Sequence, residues 1–287
     1  MGPEAKPAGG TLYVVATPIG NLGDLAPRAR ELLSAVDAIL AEDTRHTRKL
    51  TSHFGITTPL EALHDHNEPA LAAALVERLR GGAALALVSD AGTPLLSDPG
   101  FVLVRAARAA GVPVVAVPGP CAAIAALSVA GLPTDRFCFE GFLPARQGAR
   151  RERIEALSHE PRTLVLYESP HRLREALADL CEGFGAERAA VVARELTKLH
   201  EAVIGDTLGD LARWSESDPH ASAGEVVLIV SGSPREEPAG PGLDSDLVLR
   251  TLLAELPLKQ AVALAVKLTG QPRNALYQHA LAIKQET

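Results

Sequence analysis

Two α/β domains followed by a small helical module is the architecture this sequence predicts, and three observations carry it. Runs rich in Val, Leu and Ile alternate with helix-like stretches from Leu12 to Val117. After the break Gly131-Leu132-Pro133 a second alternating series begins. The polar, Pro/Gly-rich stretch SPREEPAGPG, Ser233 to Gly242, then precedes a tail whose apolar residues recur at helical spacing. A chain of 287 residues with 47% hydrophobic content can bury two cores without staples. The expected division is a disordered tail over 1–10, α/β domains over 11–133 and 134–232, a linker over 233–242 and helices over 243–287.

The first domain has strand candidates at Leu12 to Ala16, Ala38 to Ala41, Ala84 to Ser89 and Val114 to Val117. Aliphatic runs spaced by helices read as a largely parallel sheet with helices on both faces. Asp24, with Pro27 in the first turn, is expected to cap a helix, and Thr44 and Ser97 are expected to do similar work later. The second domain has candidates at Phe137 to Gly141, Thr163 to Tyr167, Ala189 to Arg194, Ala202 to Gly205 and Glu225 to Val230. The last two are separated by one short helix, which predicts a partly antiparallel or mixed sheet. In the tail, periodic positions predict three helices over Leu247 to Leu256, Ala261 to Leu268 and Ala275 to Ile283. Gly270 and Pro272 break the last two as in a helix-turn-helix, with Arg273 and Tyr277 placed to face a nucleic acid; a packing or dimerisation cap fits the same pattern.

Composition excludes several classes. Cys121, Cys138 and Cys181 are widely spaced with no C-x-x-C pair, so neither a disulfide framework nor a thiolate zinc site is expected, and a reducing cytoplasm fits. No apolar run approaches membrane-spanning length, and Lys6 stands where a myristoylation signal after Gly2 needs Ser or Thr. A net charge of −7 argues against a chain that coats nucleic acid through its general field. Any RNA contact must be local, at Arg146, Arg150, Arg151 and Arg153 or at Arg45, Arg48 and Lys49, although solvated helix faces would carry the same charges.

Three turns fall directly after predicted strands, where open α/β sheets place ligands. They are TPIGN (Thr17 to Asn21), SDAGTPLLSDPG (Ser89 to Gly100) and VPGPCAA (Val117 to Ala123). Small residues allow close backbone approach, and a helix start offers free N–H groups to a carboxylate. The G-x-G-x-x-G fingerprint, the phosphate-binding P-loop and the G-x-S-x-G elbow are all missing, so the common nucleotide and hydrolase templates fail. The residues alone thus point to a small-molecule site of unspecified ligand.

The ordered set LYVVATPIGNLGDL, AEDTRHT, ALHDHNE, ALVSDAGTPLLSDPG, VPGPCAAIAALSVAGLP, RFCFEGFLP, LVLYESPHRL, VVARELTK and GEVVLIV closely resembles the ribosomal small-subunit RNA methyltransferase I family of the tetrapyrrole-methylase fold superfamily. The tail ELPLKQAVALAVKLTGQPRNALYQHAL resembles that family's helical C-terminal module. The resemblance implies a two-domain tetrapyrrole-methylase fold with S-adenosylmethionine bound in the cleft between the domains. It also implies a homodimer that methylates the ribose 2′-hydroxyl of a decoding-region cytidine in 16S rRNA. Carried onto this sequence, the cofactor residues would be Pro18 and Gly20 in the first loop and Asp90, Ala91, Gly92 and Thr93 in the second. Pro118, Gly119, Pro120, Cys121 and Ala122 would follow from the third, with Tyr167 from the second domain.

Methyl transfer from a sulfonium is an in-line displacement, and a ribose hydroxyl is a weak nucleophile until a base takes its proton. Asp43, His66 and Asp90 are the catalytic candidates, with His64 and Asp65 beside them; Asp43 has an alternative as the partner of Arg45, and Asp90 as a shaper of the cofactor loop. The segment His64-Asp65-His66-Asn67-Glu68 also admits a metal-dependent phosphohydrolase, but no second ligand set accompanies it, and no metal is expected. An inactive RNA-binding assembly factor and a methylase of tetrapyrrole carbons are two further alternatives. Intact cofactor loops weigh against the first; AEDTRHT, HDHNE and the helical tail favour RNA over the second. The expected RNA contacts are Arg150, Arg151 and Arg153 with Arg273 and Tyr277, and the expected substrate is rRNA assembled in the small subunit.

Overall fold

The computed structural model describes residues 7–234 and 244–285. The chain forms two compact units, Met1–Ser233 and Pro234–Thr287. The first unit opens with β1 (Leu12–Val15), α1 (Pro27–Ala35), β2 (Ala38–Ala41), α2 (Thr44–His53) and β3 (Leu60–Ala62). It continues with α3 (Glu68–Arg80), β4 (Leu85–Val88), α4 (Phe101–Ala109), β5 (Val114–Val117) and α5 (Ala122–Val129). The strands form one parallel sheet in the order β3-β2-β4-β1-β5.

That order follows from handedness. Right-handed crossovers that step one way along a sheet must use one face, and those that step back must use the other. Accordingly α1 and α2, on the steps from β1 out to β3, pack Leu33 and Leu50 against Val15, Ile39 and Val88. The returning helices α3 and α4 pack Leu79 and Leu103 against Leu40, Leu85 and Leu87 on the opposite face. Both faces are therefore covered, and alternate residues of one aliphatic run serve opposite cores.

The second sheet is built from β6 (Phe137–Phe142), β7 (Thr163–Glu168), β8 (Ala190–Arg194), β9 (Ala202–Ile204) and β10 (Val226–Val230). Its order is β6-β7-β10-β8-β9, with β6 and β7 parallel and the other pairs antiparallel, the mixed sheet expected. One face is covered by α6 (Gln147–Leu157), α7 (Leu173–Phe184) and α8 (Leu208–Ser217). On the other face Val165, Val227 and Ile229 pack against Ala123, Ala126 and Leu127 of α5, so α5 joins the two sheets.

The second unit holds α9 (Ser245–Glu255), α10 (Leu258–Thr269) and α11 (Arg273–Gln285) around Leu249, Val262, Ala265, Leu276 and Ala280. Gly270 ends α10 at φ +68°, the left-handed conformation a helix stop favours. Among the described residues no helix is long and apolar enough to cross a membrane.

Several local expectations are corrected. Asp24 lies in a short 3-10 turn capped by Asn21; α1 starts on Pro27 after Ala26 without a side-chain cap. Asp43, rather than Thr44, caps α2, and α4 starts after Gly100 rather than at Ser97. The cap of α4 comes from a distance: buried Glu68 accepts from the amides of Gly100 (3.1 Å) and Leu103 (2.8 Å). Of the expected disordered tail, Ala8 donates to the Tyr13 hydroxyl (2.8 Å) and Gly10 to the Ala83 carbonyl (3.1 Å), so it is anchored from Ala8 onward; residues 1–6 lie outside the described residues. Most of the expected linker, 235–242, also lies outside them.

Candidate active site

The strand order creates a crevice. Beyond β1 the chain leaves for the face of α1, whereas beyond the adjacent β4 it leaves for the face of α4, so their loops diverge at a topological switch point. The TPIGN and SDAGTP loops meet there as an antiparallel bridge: Thr17 donates its amide to Gly92 O (2.8 Å) and Gly92 its amide to Thr17 O (3.1 Å). Thr93 Oγ1 donates to Pro120 O (3.0 Å), which ties in the PGPCAA loop after β5. Gly92 sits at φ +82°, which favours glycine, and a Cβ there would press on Ile19 Cγ2 at 3.2 Å.

The second sheet supplies the facing wall. The Tyr167 hydroxyl, at the end of β7, accepts from the Ala123 amide at the start of α5 (3.2 Å), and its ring meets Phe139 and Phe142 edge-on at 4.9 and 5.7 Å. The loop after β8 reaches back across, with Thr197 Oγ1 accepting from the Asn21 amide (3.1 Å). Lys198 lies so close that a Cβ on Gly20 would be 2.6 Å from its side chain. Between these walls is a cleft of about 390 Å³, a size suited to a small-molecule ligand. Apolar groups, among them Ile19, Leu96, Ala122, Ala193 and Val227, make up most of its surface.

Its electrostatics are acidic. Burial, reinforced by the nearby Asp98 and Asp90 charges, pushes the Glu42 carboxyl up to about 7. Burial, with Asp90 and Asp65 adding to it and the Ser89 hydroxyl opposing it, raises Asp98 to about 6. Burial also drives the Tyr167 phenol up to about 12. The remaining carboxylates of the cleft wall have cationic partners: Glu225 meets Lys198 (3.1 Å), and Glu168 accepts from the Ser169 amide (2.7 Å) and faces Arg172 (3.4 Å).

Of the expected cofactor residues, Ala91, Gly92, Thr93, Ala122 and Tyr167 line this cleft. Gly20 packs on Lys198, Gly119 on Ala16, and Pro120 accepts from Thr93, so these shape the wall from behind. Pro18, Asp90, Pro118 and Cys121 are not on its surface. Asp90 instead accepts from the Asp43 amide (3.1 Å), bracing the β4 loop against the end of β2. The catalytic candidates also fall outside the wall. Asp43 is bonded to Arg45 (2.8 Å), which holds its carboxyl well below the usual range, and exposed His66 faces His64 at 6.0 Å. In the proposed metal segment, Glu68 is committed to capping α4, and among the described residues no group of His, Cys, Asp or Glu is arranged to hold a metal ion. Sequence reasoning missed Asp98, Phe142 and Glu168 on the wall; Asp98 stands inside the quoted SDAGTPLLSDPG motif, whose second Ser-Asp pair, followed by Pro-Gly, was the available signal.

Of the arginine cluster on α6, Arg150 is a correction. Arg150 is fully buried, with Nε 2.7 Å from Asp179 and Nη2 3.3 Å from Glu175, so it cannot present a guanidinium to a phosphate. Arg151 pairs with Asp179 (2.8 Å) and Glu182 (2.7 Å), and Arg153 pairs with Glu140. The charges hold α6 to α7 and to β6. Arg273 and Tyr277, one turn apart on α11, are exposed.

Two sheets joined by one helix, with a cleft at the switch point, define the fold class of the tetrapyrrole methylases, and residues 11–212 match the family described as Tetrapyrrole (Corrin/Porphyrin) Methylases. Solved structures agree at the level of fold. Uroporphyrin-III-C-methyltransferase from Thermus thermophilus superposes with a TM-score of 0.55 at 24% identity, over 77% of this chain and 94% of that one. The methyltransferase CobJ gives 0.57 at 20% identity, over 77% and 93%. Within that class the chain belongs to the ribosomal RNA small subunit methyltransferase I family. Proteins of that name are 56% identical in Pseudomonas aeruginosa, over 95% of this chain and 97% of theirs, and 54% identical in Escherichia coli O157:H7, over 95% of each. Residues 239–284 match the RsmI C-terminal HTH domain.

Proposed function

We propose that this protein transfers the methyl group of S-adenosylmethionine to the ribose 2′-hydroxyl of a decoding-region cytidine in 16S rRNA. The observation that carries the reading is the cleft, whose one wall is made by the stitched loops after β1, β4 and β5 and the other by Tyr167 and the strand ends of the second sheet. Its chemistry fits the donor. A largely apolar surface suits the adenosine. The donor, when bound, supplies an activated methyl group. The chain's own task is to fix the acceptor in line with the donor, which a cleft walled by both sheets serves.

The substrate assignment draws on the family membership and on the exposed Arg273 and Tyr277 of the helix-turn-helix unit. An acidic chain gains little from bulk attraction to RNA, so an assembled small subunit, with surfaces to be recognised, is the expected substrate. The protein is expected to act as a cytoplasmic homodimer. The test is nucleoside mass spectrometry of 16S rRNA from cells with and without the protein, together with calorimetry of S-adenosylmethionine binding. Loss of one 2′-O-methylcytidine on deletion is expected; an unchanged nucleoside profile overturns the reading.

A further inference from the structure

The titratable side chains on the cleft wall are Asp98, Tyr167, Glu168 and Glu225. A base for a ribose hydroxyl must be one that reaches the cleft, is ionised at working pH and is not already neutralised. Tyr167 fails on ionisation, since its phenol titrates near 12 and its oxygen already accepts from Ala123. Glu225 fails on charge, held by Lys198, which also binds Glu195 (2.9 Å). Glu168 fails on access: it is buried, one oxygen takes the Ser169 amide and the other faces Arg172. Asp98 has no cation partner among the described ion pairs. The charged groups that act on it are carboxylates, Asp90 beyond β4 and Asp65 beyond β3, and it in turn acts on Glu42 beyond β2 and on Tyr167 of β7.

Its placement is also built. Leu95 and Ser97, just before it, are held at φ +73° and +68°, conformations that non-glycine residues adopt at a cost of about 1–3 kcal/mol each. Ser97 packs against the bulge of β6, where a Cβ on Gly141 would lie 3.0 Å from its Oγ. The loop thus carries Asp98 to the cleft from the same segment that supplies Ala91, Gly92 and Thr93.

We infer that Asp98 is the catalytic base of this site, the group that takes the proton of the acceptor hydroxyl. The inference rests on the methyl-transfer reading above. The hydroxyl proton passes to an Asp98 carboxylate oxygen as the oxygen–methyl bond forms and the sulfonium–methyl bond breaks, leaving a neutral thioether and a methyl ether; the proton then leaves to water. Repulsion from Asp90 and Asp65, on top of burial, raises the proton affinity of Asp98 toward neutrality, which is where a base is most effective.

The test compares wild type, Asp98→Asn and Asp98→Glu in single-turnover methylation of small subunits at saturating S-adenosylmethionine from pH 5 to 9, with donor affinity measured by calorimetry. Wild type should show a rate that rises through a pH of about 6 and then levels. Asp98→Asn should lose about 10²–10⁴-fold in rate, lose that rise, and keep its donor affinity within about twofold, a change of under ~0.5 kcal/mol. Asp98→Glu should recover part of the rate with a displaced rise. An Asn variant that methylates at the wild-type rate overturns the inference alone. So does one whose loss lies wholly in donor affinity, since Asp98 would then grip the ammonium or sulfonium, and so does a rise that persists in the variant. Wild type that leaves the rRNA unmethylated overturns the underlying reading instead.

Discussion

Glu42 and Gly92 show what single residues cost and supply. Glu42 sits just beyond β2 among Asp98, Asp90, Asp65 and Asp43, and titrates at about 7 in the fold against 4.5 as a free side chain. Above pH 4.5 the unfolded chain releases this proton while the folded chain keeps it, so stability falls as pH rises toward 7 and is level beyond. Glu42→Gln has no proton to lose. Its melting temperature should match wild type near pH 4 and exceed it by pH 8; a Gln variant less stable than wild type at pH 8 would mean that a cation holds the carboxylate. Such a destabilising carboxylate cluster beside a cleft is the pattern expected where function overrides stability. Gly92 makes the complementary prediction. Valine there must adopt φ +82° and crowd Ile19 Cγ2 at 3.2 Å, displacing the bridge between the TPIGN and SDAGTP loops. Gly92→Val should weaken S-adenosylmethionine binding by more than about tenfold, ~1.4 kcal/mol, while the far-ultraviolet dichroism stays native. Unchanged affinity would remove this loop from the site.

At the scale of elements, the pairing of α6 with α7 turns on Arg150. Removing it leaves Asp179, itself buried, with Arg151 as its remaining cation and Gln147 as a distant donor (3.4 Å), so Arg150→Ala should cost about 3–5 kcal/mol in urea unfolding. Arg151→Gln, half-exposed, should cost no more than about 1 kcal/mol. The double change Arg150→Met with Asp179→Leu should restore most of the loss, since an apolar pair needs no compensating charge; a double variant as unstable as Arg150→Ala would place the energy in packing. This helix pair also shows where sequence reading stops. A run of arginines signals positive charge but not where its partners lie, and the complementary row Glu175, Asp179 and Glu182 on α7 was the available sign. Buried strands such as β4 and β10 were legible because both faces are covered and the whole run is aliphatic. β3 was not, because it is only Leu60–Ala62, two half-buried residues and an exposed one, with neither alternation nor a run.

For the whole molecule, the motif positions were legible but the cleft was not, since it depends on the strand order that sets β1 beside β4 and on α5 packing beneath the second sheet. Local patterns fix which residues turn, whereas handedness and long-range packing fix which turns meet. The same division separates the two units. Every residue on the cleft wall lies between Ile19 and Val227, inside the first unit, which has its own cores on both sheets. The second unit has a separate core and exposes Arg273, Tyr277, Leu247 and Leu268. A chain ending at Ser233 should therefore fold and bind S-adenosylmethionine with wild-type affinity. If the helix-turn-helix unit engages the ribosomal particle, the shortened chain should methylate small subunits with a KM raised about tenfold or more, ~1.4 kcal/mol of lost binding, and a kcat little changed. This is the signature of lost uniform binding rather than lost chemistry. Arg273→Ala with Tyr277→Ala in the full chain should reproduce part of the KM effect. Loss of donor affinity on truncation would assign the helices a packing role instead, and a wild-type KM in both variants would remove them from substrate recognition.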